Sequence, residues 1–235
     1  SGKRVENGLN DIGLTGRDID AILITHEHID HIAGLGVLSR RYGIPIYTTE
    51  KTADAIQETK SVGKIPEELF HPVCAEEAFT IKDLTVNPMR ISHDAADPVG
   101  YRFSYGSSHA AVCTDLGTYN DYTVECLKGM DVLLLEANHD VNMLQVGSYP
   151  YYLKQRILGN RGHLSNENSG RLLSRVLHDN LKKVILGHLS QENNLPELAY
   201  ETVRMEIDLA DNPYHGGDFP IQVAKRNEVS EMICF

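Results

Sequence analysis

The chain has 235 residues, 41% of them apolar, and a formal net charge of −11. That length supports one domain with a full hydrophobic core, read as spanning residues 1–235. The negative charge argues against broad non-specific nucleic-acid binding, and no apolar run reaches the roughly 20 residues of a membrane span.

Taken from the start, Val5, Leu9 and Ile12 form a helical stripe ended near Gly13. This polar opening does not read as a signal peptide. Ala21 to Ile24 is a short apolar run of the buried-strand type. Leu35 to Tyr42 is helical and stopped by Gly43, Ile44 to Tyr47 is a strand, and Thr49 is placed to cap a helix through Ala55 and Ile56. Residues 59–75 read as irregular. Leu84 to Ile91 is a strand, and Val99 to Tyr105 with Ala110 to Thr114 forms a hairpin around Gly106-Ser107-Ser108. A helix from about Asp121 to Lys128 and a buried strand from Val132 to Leu135 follow. The stretch 138–162 lacks clean periodicity and reads as a long functional loop. Ser165 or Asn166 caps a helix to about Leu181, Val184 to Leu186 is a strand, and Leu198 to Ala210 a helix. Ile221, Val223, Met232 and Ile233 alternate as in a closing hairpin turned at Arg226-Asn227. These alternations predict a layered α/β fold. Cys74, Cys113, Cys126 and Cys234 are scattered without a CxxC pair, which fits a reducing cytoplasm better than a disulfide framework.

The chemistry is concentrated after the first strand, in His26-Glu27-His28-Ile29-Asp30-His31. Residues two apart on extended chain point the same way, so His26 and His28 can face one metal. The chain then turns, and Asp30 and His31 can face a second. Imidazole and carboxylate suit Zn²⁺, Mn²⁺ or Fe, and the absence of cysteine fits a catalytic rather than a structural site. Further ligands are sought at strand ends, where His93, Asp115 and His188 each follow an apolar strand. Alone, each is an ordinary surface, core or turn residue; beside the cluster they become ligand candidates. His26, His28 and His93 would take one ion, Asp30, His31 and His188 the other, with Asp115 between them. Two divalent ions would also offset part of the net negative charge at the place that matters. Glu27 projects away from its neighbours.

These residues resemble the metallo-β-lactamase superfamily, with His93, Asp115 and His188 matching its later motifs in order. The resemblance covers essentially the whole chain and implies an αββα sandwich. It also implies a chain shortened at its N-terminus, without the first strands and the first-motif aspartate, and therefore an exposed sheet edge. The texts Thr25-His26-Glu27-His28, Leu135-Glu136-Ala137-Asn138-His139-Asp140, Gly162-His163-Leu164-Ser165-Asn166 and Gly187-His188-Leu189-Ser190 are similar to those of the YycJ/WalJ type, related to the RNase Z and RNase J nucleases. That likeness implies exonuclease action on DNA.

A phosphodiesterase needs a proton for its leaving alkoxide. His163, ahead of the helix at 165–181, is the candidate acid, and Glu136 could orient and charge it. Between them, Tyr149, Tyr151, Tyr152, Lys154, Gln155, Arg156 and Arg161 interleave aromatics with cations, a composition that can stack bases and grip phosphates. Of these, Tyr152, Lys154, Arg156 and Arg161, with His139, are the substrate-binding candidates; the plain alternative is a solvated loop. The leading reading is a metal-dependent exonuclease on DNA in preference to RNA, with Asp30, Glu136 and His163 as catalytic residues and a metal-bridged water as nucleophile. Competing readings are a small-molecule hydrolase (cyclic phosphodiesterase, lactonase or thioesterase) and a non-catalytic metal-binding regulatory protein. No membrane partner is expected, and oligomerisation is left open.

Overall fold

Local signals set most element boundaries in the computed structural model, which describes residues 1–235. Helix α1 (Gly2–Asp11) stops ahead of Gly13. Strand β1 (Ile22–Leu23) carries the first apolar run and leads into α2 (Ile29–Ile32), a single turn anchored by the fully buried Ile32. Helix α3 (Leu35–Tyr42) ends at Gly43, whose φ of +66° is the left-handed stop that favours glycine. Strand β2 (Ile46–Thr48) and helix α4 (Glu50–Glu58) follow. Thr49 does precede α4, but its hydroxyl contacts Thr52 and the Asp97 carbonyl instead of a helix amide.

The stretch 59–75 is not wholly irregular. It contains β3 (Phe70–Pro72), which pairs in parallel with β2. Three residues ending in proline show no period-2 pattern, and proline suits the edge position β3 occupies. Strand β4 (Phe79–Ile81) also lacked a sequence signal. It pairs with β5 (Leu84–Arg90) across Lys82-Asp83, with Lys82 at φ +54° where Asn or Gly is usual. Strands β6 (Val99–Tyr105) and β7 (Ser108–Cys113) form the expected hairpin, turned at Gly106. Asn120 caps α5 (Asp121–Leu127), and β8 (Val132–Glu136) runs as predicted.

Residues 138–162 correct the expectation of a long loop. They hold α6 (Val141–Val146), capped by Asp140, and α7 (Tyr151–Leu158). Helices of six and eight residues are too short to show a face clearly. Helix α8 (Asn166–Ser174) is capped by Ser165 as predicted but ends well before Leu181. Val176 and Leu181 still pack into the core, so apolar periodicity outlasts the helix. Strand β9 (Lys183–Gly187) and α9 (Pro196–Leu209), with proline in its first turn, match. The closing hairpin does not form: β10 (Ile221–Val223) pairs in parallel with β9, and residues 232–235 make no strand. Alternation identified a strand; its partner was non-local.

Contacts group the chain into two units. The first comprises Ser1–Pro88, Ala95–Val99 and Lys225–Glu231; the second Met89–Asp94, Gly100–Ala224 and Met232–Phe235. The first contains the parallel sheet β1-β2-β3 and the β4–β5 turn, with a core that includes Ile24, Ile32, Leu35, Ile46 and Ile56. The second has strand order β10-β9-β8-β7-β6, parallel from β7 to β10. Leu133, Leu135, Leu172, Val184, Leu186 and Val203 build its core. The apolar runs of β8 and β9 are those of parallel strands inside a layered fold.

Candidate metal and catalytic centre

In the first unit, a hydrogen bond from the Val99 amide to the Thr25 carbonyl fixes the exit of β1. His28 remains extended (φ −60°, ψ 144°) and the α2 turn begins directly after it. Three imidazoles then cluster closely, edge-on or tilted to one another. The His26 ring centroid lies 4.6 Å from that of His28 and 4.1 Å from that of His31. The Thr25 hydroxyl bridges Nδ1 of His26 (3.1 Å) and Nδ1 of His31 (3.3 Å). Asp30 stands at the exposed rim, its carboxylate 3.6 Å from His31 Nε2. Glu27 turns away as expected and accepts from the Ala96 amide.

In the second unit, strand register does the assembling. Cys113, Leu135 and Leu186 are successive neighbours across β7, β8 and β9, and Glu136 pairs with Gly187. Asp115, Glu136 and His188 therefore emerge together at the carboxyl ends of three parallel strands, where α/β sheets carry their sites. Asp115 (φ +59°) and His188 (φ +58°) both adopt the left-handed region. For non-glycine residues that costs about 1–3 kcal/mol each, which the surroundings must offset.

Glu136 is the junction. It is fully buried, and its Oε1 accepts from His163 Nδ1 at 2.9 Å and His188 Nδ1 at 2.8 Å. Its Oε2 accepts from the amides of Leu116 (2.9 Å) and Leu164 (3.0 Å). Burial opposes the charge, but the two imidazoles outweigh it and hold the Glu136 carboxyl below its ordinary range. A carboxylate only accepts, so both histidines carry their proton on Nδ1. For His163, burial works against the imidazolium, yet the bond to Glu136 and the charges of Glu136 and Asp115 raise its pKa. Asp115 Oδ1 lies 3.7 Å from His93 Nε2, 3.7 Å from His163 Nδ1 and 3.5 Å from His188 Nε2. His93 Nδ1 donates to the Gly162 carbonyl (3.0 Å), and burial lowers its pKa against the pull of Asp115.

In the expected substrate loop the cations bond to other parts of the chain. Lys154 Nζ donates to the carbonyls of Gln145 and Gly147, closing the end of α6. Arg156 forks onto Asp94, and Arg161 donates Nε and Nη2 to the His93 carbonyl, both at 3.1 Å. Tyr151 and Tyr152 are 76% and 74% exposed. His139 is buried, bridges Ser165 through its backbone, and is kept neutral by burial, with its pKa lowered to about 4. Two features escaped sequence reasoning. One is Thr25, a hydroxyl directly before the motif. The other is the second bond of Glu136, to His188, readable only once β8 is known to lie between β7 and β9.

A family model described as a beta-lactamase superfamily domain matches residues 9–188. The chain belongs to this superfamily. Its fold is the αββα class expected from the motifs. Within the superfamily it is 43% identical over 211 residues to "Exodeoxyribonuclease WalJ" of Streptococcus pneumoniae, covering 90% of this chain and 78% of that one. It is 38% identical over 208 residues to "Exodeoxyribonuclease YycJ" of Bacillus anthracis, covering 88% and 78%. Among solved structures, the metallo-β-lactamase fold protein YhfI of Bacillus subtilis superposes with a TM-score of 0.66 over 92% of this chain and 78% of that one, at 17% identity. The superfamily fold implies divalent metals, and the His/Asp clusters are of a kind that binds them. No helix is long and apolar enough to cross a membrane.

Proposed function

We propose that this chain is a metal-dependent exonuclease acting on DNA. The observation that carries the reading is the Glu136–His163 pair: a buried carboxylate that charges and orients an imidazole beside the ligand candidates Asp115 and His188. Cleavage of a phosphodiester expels an alkoxide that must be protonated, and this pair can supply the proton. The WalJ and YycJ relatives carry exodeoxyribonuclease names, which supports DNA over RNA as substrate.

The donor set fits two divalent ions, Zn²⁺ or Mn²⁺, with Fe as a further candidate. His26, His28 and His93 would hold one, Asp30, His31 and His188 the other, and Asp115 both. Nδ1 of His26, His31, His93 and His188 is each engaged by a hydroxyl, carbonyl or carboxylate. That is the outer-shell pattern of metal-ligating imidazoles, and it presents Nε2 as the ligand atom. Such ions, when bound, supply a water nucleophile at neutral pH and positive charge against the phosphate. His163 then holds a proton for the leaving oxygen, and Glu136 stabilises the imidazolium that carries it. In the α6–α7 segment the cations are tied within the chain, so we assign substrate contact to Tyr151 and Tyr152, whose rings can stack bases. The four cysteines are free thiols, which suits a cytoplasmic setting.

The test is hydrolysis of end-labelled linear DNA by protein loaded with Zn²⁺ or Mn²⁺, beside Asp30→Ala and a chelated control. Mononucleotide release by the loaded protein alone is expected. Intact DNA in all three reactions would sink the proposal.

A further inference from the structure

Behind Glu136 lies a second polar layer, made of carboxamides. Asn138, Asn166 and Asn194 are all buried. They stand two residues after Glu136, three after His163 and six after His188, so each follows one of the three groups joined at the Glu136 carboxylate. The Asn138 Nδ2 donates to the His188 carbonyl at 2.8 Å, bracing a residue held at φ +58°. The Asn194 Nδ2 reaches the carbonyls of Ala137 (2.9 Å) and Asn138 (3.0 Å) and Oδ1 of Asn166 (2.9 Å). In return, Asn166 Nδ2 donates to Asn194 Oδ1 at 2.9 Å, an oxygen that also accepts from the Leu195 amide. The backbone completes the stitching through Asn138 N to Leu164 O (2.9 Å) and Ser190 N to Asn138 O (2.7 Å).

The chain after β8, the chain after β9 and the entry to α8 are thus joined by side chains and backbone. Outside a ladder or helix interior, their backbone groups need partners away from water. Apolar side chains could fill the volume but could not fix the relative positions of three loops. A reciprocal amide pair can, because both partners must present donor against acceptor. The amides bond to backbone carbonyls and to one another, and so act on the backbone that carries Glu136 and the imidazoles.

We infer that Asn138, Asn166 and Asn194 form a carboxamide lock that positions Glu136, His163 and His188 for the reaction, with Asn194 as its joint. The catalytic half of this inference rests on the proposed phosphodiesterase reading; the geometric half does not.

Two variants of the full chain test it. Asn194→Asp keeps the shape but sets a second oxygen against Ala137 O, Asn138 O and Asn166 Oδ1. Asn138→Ala removes only the bond to His188 O. The first readout is NMR of ¹⁵N-histidine-labelled, Zn²⁺-loaded protein, following the Nδ1–H signals of His163 and His188 on Glu136. The second is the kcat and KM for linear DNA. Both signals are expected to move in both variants, with kcat down roughly 10- to 100-fold and KM within about twofold. Unmoved signals in cooperatively folding variants would overturn the lock, as would an unchanged kcat or a loss confined to KM. Should Asn194→Asp fail to fold, Asn138→Ala decides by the same readouts. Should the wild type leave DNA intact, the exonuclease reading fails, and the NMR signals alone decide for or against the lock.

Discussion

The two groups of candidate residues, one in each unit, are built by opposite means. His26 to His31 lie within one short stretch of chain, an extended run followed by a helical turn, held by a threonine hydroxyl and by the buried Ile32. Asp115, Glu136, His163 and His188 come from four separate segments, meet at buried strand ends, and include two residues in left-handed backbone. The first group is a local device with an exposed rim at Asp30; the second is a long-range device whose parts support one another. In the first, a ligand and its scaffold are separable. In the second, a group that serves the chemistry also holds the structure.

That difference has its largest consequence at Glu136. Glu136→Gln would place an NH₂ where one pair of donors now points, leaving buried groups unpaired. Breaking such a buried charged network costs about 3–5 kcal/mol, and for a chain of this size roughly 2–4 °C of Tm accompanies each kcal/mol. The metal-free variant is therefore expected to melt on the order of 10 °C lower. Asp30→Asn, at an exposed position, should stay within about 2 °C of wild type while abolishing hydrolysis. Thermal unfolding of the two side by side checks this. Equal melting temperatures would erase the proposed contrast.

The next effect is smaller and separates chemistry from ligation within the strand-end group. His163 shares Glu136 with His188, yet only His188 is assigned to a metal. His163→Ala is expected to lower kcat on DNA by about 10²–10⁴-fold, with metal content per chain, measured by mass spectrometry, near wild type. Loss of an ion in this variant would make His163 a ligand and redraw the division.

The same contrast explains what could be read from the sequence. The His26–His31 motif was visible because its residues are adjacent and their spacing carries the geometry. Asp115 and His188 were visible as ligand types just past apolar strands. The bond from Glu136 to His188 was not, because it depends on which strands are neighbours, a property of the sheet and not of any one segment. Helices α6 and α7 were missed for want of length, and β4 because Lys82 holds a turn that glycine or asparagine would have announced. The β10 pairing with β9 was missed because local alternation cannot name a distant partner.

The smallest expected effect concerns α7, the segment where composition and structure diverge most. Its cations, Lys154 and Arg156, are engaged inside the chain by the end of α6 and by Asp94, as is Arg161 beyond it by the His93 carbonyl, whereas Tyr151 and Tyr152 stand in solvent. A phosphate grip and a stacking platform differ in their response to salt. Each neutralised phosphate steepens the fall of log K with log salt, by about 0.7 per contact on single strands. Stacking is worth about 1–3 kcal/mol per base and leaves that slope alone. Tyr151→Ala with Tyr152→Ala should therefore weaken binding of a single-stranded oligonucleotide about tenfold or more at every ionic strength, with parallel salt plots. Fluorescence anisotropy between low and moderate salt reads both quantities. A flattened slope would return the segment to phosphate binding, and unchanged affinity would show that the exposed tyrosines of α7 do not touch the strand.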